Sequence, residues 1–469
     1  MLVVRRAHHA RLWRTVVSLS LNPDIFKAYD IRGVYPSEVN EDAARSIGAA
    51  FVAYLQATRI AVGRDMRLSS PSIAAAFIDG ATSQGADVVD YGLMATDMLY
   101  FAVARDGHDG GVQVTASHNP RQYNGLKMVR QKASALSGDA GIADIRDMIA
   151  GTLIPAPARA PGRVTTADVL EAYVEHVMSF IDASVIRPFH VVLDAGSGMG
   201  GLVAPRLFER LPCRTTRLCF EIDGRFPNHE ANPLVEENRR DIVERVIAER
   251  ADIGIAWDGD ADRCFFIDGA GAFISGDFIT ALLAEAFLLK HPASTIIYDL
   301  RASYAVRDVV AAYGGTSLMN RVGHAFFKAR MRETDAIFGG EVTGHYYFRD
   351  NFYADNGFIP ALLMLELMSK KGRSLRELVE PLARKYFISG EINTKLPSMD
   401  AVPAKLDEIA ARYADARQYT LDGISVEYLD WHFNVRPSNT EPLLRLNLEA
   451  TTRALMEEKR DEVVALIRS

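Results

Sequence analysis

The chain has 469 residues, too many for one ordinary core, and a prior of one domain per ~150 residues predicts about three. With 48% hydrophobic and 24% charged residues, and 34 glycines and 19 prolines spread along its length, it reads as a folded globular protein, which excludes disorder, collagen and low complexity. Fifty-three basic against sixty acidic side chains, net −7, exclude the footprint of a duplex-binding surface, so no nucleic-acid partner is expected.

No membrane partner is expected either. The best apolar stretch, Ile279 to Leu289, is interrupted by Glu285 and falls short of the ~18 residues that a span needs. Cys213, Cys219 and Cys264 lack Cys-x-x-Cys spacing, which argues against a disulfide framework or a zinc site and fits a reducing cytoplasm. The first residues carry Arg5, Arg6, Arg11 and Arg14 with no acid before Asp24, a poor signal peptide; residues 1–21 read as an extension outside the fold.

From Asn22 to about Ala150, short apolar strands alternate with helical stretches: Glu41 to Gln56, Arg59 to Val62, Pro71 to Gln84, Ala86 to Tyr91, Val112 to Val114. A linker rich in Pro, Ala and Gly, from Gly151 to Gly162, breaks this βαβ rhythm before a helix expected over Thr166 to Ile181. A strand from Phe189 to Asp194 then runs into a glycine turn and a helix, and Ala251 to Trp257 ends in an acidic loop. Next come helix Asp277 to Lys290, strand Thr295 to Asp299, a helix from Ser303 to Tyr313 and strand Asp335 to Phe338. After Lys385 the pattern changes to two helices, Ala401 to Ala416 and Thr452 to Ser469, around a hairpin from Trp431 to Leu448. The expected division is 1–21, 22–164, 165–270, 271–385 and 386–469: three α/β units followed by a small α+β module.

In such units ligands collect at the carboxyl ends of the strands, so the loops there carry the argument. Gly196, Gly198 and Gly201 spell G-x-G-x-x-G with Glu221 about twenty residues on, a dinucleotide fingerprint on paper; standing alone it is better read as a tight strand-to-helix turn. Asp258-Gly-Asp-Ala-Asp262-Arg263 sets three carboxylates at alternating positions and calls for a cation. Arg263 and Gly269 stand where a calcium-binding EF-hand needs Gly and Glu, whereas hard oxygens with open positions suit Mg²⁺. Thr115-Ala-Ser-His-Asn-Pro120 can present Ser117 as a nucleophile, with Lys127 shortly after it. Gly339-Gly-Glu-Val-Thr-Gly-His345 offers groups for sugar hydroxyls and proton transfer, and Arg436-Pro-Ser-Asn-Thr-Glu-Pro442, with Arg445 beyond, has the composition of a phosphate cradle. Each loop alone is ambiguous; one of each per unit is not expected by accident.

Together with Phe26-Lys-Ala-Tyr-Asp-Ile-Arg-Gly33, these loops resemble, in order and spacing from about Pro23 to the end, the α-D-phosphohexomutase superfamily and its bacterial phosphomannomutase/phosphoglucomutase branch. The resemblance implies three related α/β domains and a C-terminal domain of the TATA-binding-protein-like type around a central cleft. It implies Ser117 as the phosphoserine, and Asp258, Asp260 and Asp262 holding Mg²⁺ with an oxygen on Ser117. His118, Lys127, Arg263 and His345 would serve catalysis. Tyr29, Arg32, Arg301, Gly323, His324, Glu341, Thr343, Arg436, Ser438, Asn439, Thr440 and Arg445 would bind substrate.

The implied reaction interconverts hexose 1- and 6-phosphates through a hexose 1,6-bisphosphate, which also serves as activator, in a cytoplasmic monomer or small homo-oligomer. Thr343 stands where many relatives have Ser, and Arg301 where some carry Lys. Val322-Gly-His324 and Ser438-Asn-Thr440 depart from the phosphoglucosamine mutase signatures and favour mannose or glucose phosphates. A phosphoglucosamine mutase and a non-catalytic sugar-phosphate-binding protein are the alternatives.

Overall fold

The computed structural model describes residues 21–438 and 441–469, so most of the expected extension lies outside the described residues. Four sheets follow one another along the chain. In spatial order the first runs Ile31–Val34, Tyr123–Arg130, Gly110–Val114, Arg59–Arg64, Asp87–Leu93 and Val164–Thr166, with Ser134–Ala135 paired to Tyr123–Arg130. The second runs Phe273–Ile274, Cys264–Asp268, Ile253–Trp257, His190–Asp194 and Arg214–Leu218. The third runs Thr316–Asn320, Thr295–Asp299, Phe338–Gly340, Tyr346–Phe348 and Ala354–Asp355. The fourth is antiparallel throughout: Phe387–Lys395, Leu443–Ala450, Trp431–Pro437, Ile424–Glu427 and Arg417–Tyr419.

Helices form where the apolar periodicity and caps agree. Helix Glu41–Leu55 starts at Asn40, whose side chain accepts from Ala43 N, with Glu41 and Asp42 in the first turn. Ser303 caps Tyr304–Ala312 and Thr452 caps Arg453–Arg468 in the same way.

Two expectations shift for local reasons. The helix expected from Thr166 starts at Leu170, because Val164–Thr166 pairs in parallel with Val88–Asp90 and extends the first sheet across the proline-rich linker. The strand expected from Asp335 starts at Phe338, because an unforeseen helix, His324–Thr334, ends on Asp335 in the left-handed conformation.

One apolar cluster is continuous through the first three sheets, from Phe101 and Tyr173 through Trp257 and Phe278 to Phe338 and Leu363. A second fills the other face of the first sheet around Phe51 and Phe77. The fourth sheet has its own core around Val426, Phe433, Leu446 and Val463. The first three units therefore share one packed core while the fourth keeps its own, and Tyr304 of the third unit stacks on His432 of the fourth, ring centroids 3.7 Å apart.

Candidate active site

Three of the four chemistry-bearing loops occupy the same place in their units. Each joins a parallel strand to its antiparallel return: 115–122 after Gly110–Val114, 258–263 after Ile253–Trp257, and 341–345 after Phe338–Gly340. The topology thus brings all three to the carboxyl ends of parallel strands.

Ser117 is buried and has φ +52°, a left-handed backbone unusual for a side chain of its kind. What holds it there is Arg67, whose buried guanidinium donates to the carbonyls of Ser117 (2.7 Å), Asn119 (2.6 Å), Pro120 (2.8 Å) and Tyr123 (3.0 Å). Ser117 Oγ donates to Asp258 Oδ2 at 2.8 Å and lies 3.1 Å from His118 Nδ1. The backbones are just as close, since a Cβ on Gly259 would lie 2.6 Å from the Ser117 carbonyl oxygen. Only glycine permits this approach of the acidic loop to the serine loop.

Asp258, Asp260 and Asp262 are all buried. Lys127, on the return strand Tyr123–Arg130, places Nζ 2.7 Å from Asp260 Oδ2 and pairs with Asp262 as well. Thr96 Oγ1 donates to Asp260 at 2.6 Å, and Arg263 donates its backbone N–H to Asp258 Oδ1 at 3.2 Å. Burial works against the Lys127 charge, but Asp260, Asp262 and Asp258 outweigh it and hold the ammonium above its ordinary pKa. Burial and the neighbouring carboxylates push Asp258 up; Asp260, although buried, is held low by Lys127. His118 is pushed well down by burial and by Arg263, Arg32 and Lys127, so its imidazole stays neutral.

Candidate ligand atoms of the three aspartates lie within 4.8 Å of one another. Asp260 Oδ1 and Asp262 Oδ1 are buried with no hydrogen-bond partner. Clustered hard oxygens with unused lone pairs fit Mg²⁺.

The third loop joins this cluster through Arg263, whose Nε donates to His345 Nε2 at 3.0 Å. His345 Nδ1 lies 3.2 Å from Asp355, which pairs with buried Lys328 at 2.7 Å. Glu341 accepts from the Gly323 N–H at 3.1 Å and from the Tyr347 hydroxyl, and stands 3.8 Å from Arg301, itself paired with Asp299 at 2.8 Å. His324 sits between Tyr29 (ring centroids 5.7 Å) and His345 (6.0 Å). Tyr29 OH donates to the Val322 carbonyl at 3.2 Å, linking the first unit to the third, and Arg32 donates to Asn119 Oδ1 at 2.6 Å.

In the fourth unit Arg436 and Arg445 face each other across adjacent strands. Each reaches Glu391 at 3.3 Å, and Arg301 reaches it at 3.5 Å. Three cations thus surround one carboxylate. Ser438 is buried beside them; Asn439 and Thr440 lie outside the described residues. A cavity of ≈450 Å³ lined by Arg301, Thr343 and Glu391 lies between the third and fourth units. Another of ≈1060 Å³ is bounded by Tyr29, Arg32 and Asn119 from the first unit and Glu441 from the fourth.

Sequence reasoning missed Arg67, Thr96, Lys328, Asp355 and Glu391. None sits in a motif. Thr96, Lys328 and Asp355 are polar residues buried within a helix or strand, Arg67 is buried in a loop, and Glu391 is exposed on its strand.

Four family profiles cover most of the chain. Those described as phosphoglucomutase/phosphomannomutase alpha/beta/alpha domains I, II and III match residues 23–152, 171–271 and 275–386, and the corresponding C-terminal domain matches residues 391–466. A relative named "Phosphohexose mutases" from Xanthomonas campestris pv. campestris is 44% identical over 451 residues, covering 94% of this chain and 99% of the relative. A phosphomannomutase from Escherichia coli is 44% identical over 454 residues, covering 94% and 99%. Among solved structures, a phosphoglucomutase/phosphomannomutase family protein from Burkholderia thailandensis superimposes with TM-score 0.86 at 34% identity, covering 96% of this chain and 98% of that one. On the full-length match and the site geometry together, the chain belongs to the phosphoglucomutase/phosphomannomutase family.

Proposed function

We propose that the protein is a hexose-phosphate mutase that interconverts the 1- and 6-phosphates of mannose and glucose, with Ser117 as the phosphoryl carrier. The observation that carries this reading is the 2.8 Å bond from Ser117 Oγ to Asp258, inside a buried triad of aspartates that Lys127 and Arg263 partly neutralise. Asp258, Asp260, Asp262 and Ser117 Oγ would hold Mg²⁺, which, when bound, supplies electrostatic stabilisation of the transferring phosphoryl group.

In the first half-reaction the phosphoryl group leaves Ser117 Oγ for the free hydroxyl of a hexose phosphate, and that hydroxyl's proton passes to a base. The product is a hexose 1,6-bisphosphate. It turns over in the cleft, its other phosphoryl group returns to Ser117 Oγ, and the sugar oxygen left behind takes a proton.

Lys127, held as an ammonium by Asp260 and Asp262, suits charge stabilisation and proton donation. His345 is the proton-acceptor candidate of the two: its Nδ1 faces Asp355 and its Nε2 lone pair accepts from Arg263, which the sugar hydroxyl must displace to reach it. His118, kept neutral beside Ser117 Oγ, orients that oxygen.

Glu341 and Thr343 are assigned to the sugar's O3 and O4. These have the same configuration in glucose and mannose, so either epimer is accepted. Arg436, Arg445, Ser438, Asn439 and Thr440 are assigned to the phosphate not being transferred. The separate core of the fourth unit suits a lid that closes over the substrate and excludes water.

The boundaries 22–164, 165–270, 271–385 and 386–469 are proposed as the four functional domains. No described helix is long and apolar enough to cross a membrane, and Cys213, Cys219 and Cys264 are free, which suits a cytoplasmic enzyme.

The test is turnover of mannose 1-phosphate and glucose 1-phosphate in the presence of Mg²⁺ and catalytic hexose 1,6-bisphosphate. Isomerisation of either supports the proposal; binding of both without isomerisation overturns it in favour of a sugar-phosphate-binding protein.

A further inference from the structure

Outside the cleft, three side chains of different chemistry converge beneath the glycine turn of the second unit. Asp194 ends strand His190–Asp194, and Cys219 follows the neighbouring parallel strand Arg214–Leu218, in which Leu218 is the register partner of Asp194. His229 arrives from the loop beyond. Its Nε2 lies 3.0 Å from Asp194 Oδ2 and 3.6 Å from Cys219 Sγ, and the three ligand-type atoms all lie within 4.8 Å of one another.

The hydrogen bonding around the imidazole selects its free nitrogen. His229 Nδ1 lies 3.0 Å from the Glu230 carbonyl oxygen, which can only accept, so Nδ1 carries the ring proton. Nε2 therefore faces a carboxylate oxygen and a sulfur, and the site between them takes a positive charge: burial works against it, but Asp194 and Cys219 outweigh burial and raise the imidazole's pKa to about 11, so a proton fills the place when no metal does. The Nδ1 contact is also the arrangement by which a ligating histidine is fixed, with its other N–H donated to a backbone carbonyl.

The imidazole–sulfur spacing suits a specific ion, and Asp194, 3.0 Å from Nε2, would move out by about 0.4 Å to complete it. Zinc takes S, N and O ligands at about 2.3 Å for S and about 2.0–2.1 Å for N, and at tetrahedral angles this sets N and S about 3.5 Å apart. The observed separation is 3.6 Å. Mg²⁺ prefers an all-oxygen set, so a thiolate–imidazole–carboxylate cluster discriminates against the ion expected in the acidic loop. Cys219 opens to the surface: with Asn228 it lines a cavity of ≈470 Å³ whose wall carries Asp241 and Glu244 together with Arg217 and Arg245.

We propose that Asp194, Cys219 and His229 form a second metal site, for a divalent transition ion of the Zn²⁺ type, distinct from the acidic loop in the cleft. On binding, the metal–sulfur bond forms as the Cys219 thiol releases its proton to solvent, and any second proton on the imidazole leaves from Nε2; no electron changes hands. The site clamps two strand ends to the glycine turn. Gly196 N donates to Asp194 Oδ1 at 2.9 Å, Ser197 N donates to the Cys219 carbonyl at 2.8 Å, and Met199 N donates to the Gly259 carbonyl at 2.9 Å. The metal therefore braces the turn on which the acidic loop rests.

The probe is Co²⁺ added to the full chain in excess Mg²⁺, read by its near-ultraviolet thiolate-to-cobalt absorption, with Zn²⁺ as competitor. One equivalent is expected to develop the band, Zn²⁺ to bleach it, and Cys219→Ser to abolish it while Cys213→Ser retains it. His229→Gln is expected to weaken binding about tenfold or more. Zn²⁺ is expected to raise the melting temperature of the wild type but not of Cys219→Ser, which keeps its turnover in Mg²⁺. Absence of the band, or a band that persists in Cys219→Ser, overturns the proposal and leaves an imidazolium–carboxylate ion pair. If His229→Gln fails to fold, the two cysteine variants decide the matter by themselves.

Discussion

Lys127 Nζ and Asp260 Oδ2 lie 2.7 Å apart, joining the return strand of the first unit to the acidic loop of the second across 133 residues of sequence. With the bond from Ser117 to Asp258, this contact makes a hydroxyl, a carboxylate triad and an ammonium into one buried cluster whose members come from two separate sheets.

Ser117→Ala removes only the oxygen that faces Asp258, so the fold is expected to survive. Turnover is expected to fall at least about a thousandfold, the scale of losing a covalent nucleophile. Mass spectrometry of the wild type should locate a phosphate on Ser117. Full turnover in the variant would exclude the serine as carrier.

Arg67 holds three carbonyls of the serine loop, those of Ser117, Asn119 and Pro120, and that of Tyr123 at the start of the return strand, all on one planar fork. Lysine preserves the charge but cannot reach four acceptors. Arg67→Lys is expected to lower kcat by about ten- to a hundredfold with little change in KM, because the loop loses charge-assisted bonds worth about 1.5–3 kcal/mol each. An effect confined to KM would place Arg67 in binding instead.

Glu391 is the shared counter-charge of Arg301, Arg436 and Arg445. An incoming phosphate must compete with it. Glu391→Gln is expected to tighten inhibition by inorganic phosphate about two- to fivefold, the range of partly exposed ion pairs. Weaker phosphate inhibition would mean that the carboxylate positions the guanidiniums rather than competing for them.

Asp277 is buried and accepts from Ser303 N at 2.7 Å. Burial is the main cause that raises its pKa from 3.8 to about 6, with Asp299 and Glu449 adding to it. The folded state therefore holds this proton more tightly than the unfolded chain. Its stabilising contribution is complete below 3.8 and is lost as the pH rises through about 6. Asp277→Asn keeps the acceptor for Ser303 and removes the charge. Thermal unfolding across this window should show a shallower pH slope in the variant, which gains on the order of 3 kcal/mol relative to the wild type at neutral pH. Parallel slopes would refute the assignment.

The glycine turn at 196–201 shows how far a motif carries. It spells a dinucleotide fingerprint, but a Cβ on Gly198 would lie 2.5 Å from the Gly259 carbonyl oxygen, so the space beside it is taken by the acidic loop's backbone. Cys219 shows the converse. Its spacing from the other cysteines argued against a metal site, yet its thiol lies 3.6 Å from a histidine ring ten residues on, a proximity that Cys-x-x-Cys counting does not sample.

By itself the sequence determined which residue types stand at the ends of which strands. The strand-to-loop transitions at Val114 and Trp257 are local events, written in apolar runs that stop at Thr and Asp, and the residues carrying chemistry follow directly, whereas the strand expected to end at Phe338 runs on to Gly340. Only the tertiary structure decided how those groups are charged and held. Arg67, Lys328 and Asp355 act through burial, and they and Glu391 act through partners far away in the chain; desolvation and Coulomb energy depend on distance in space, to which sequence separation gives no access.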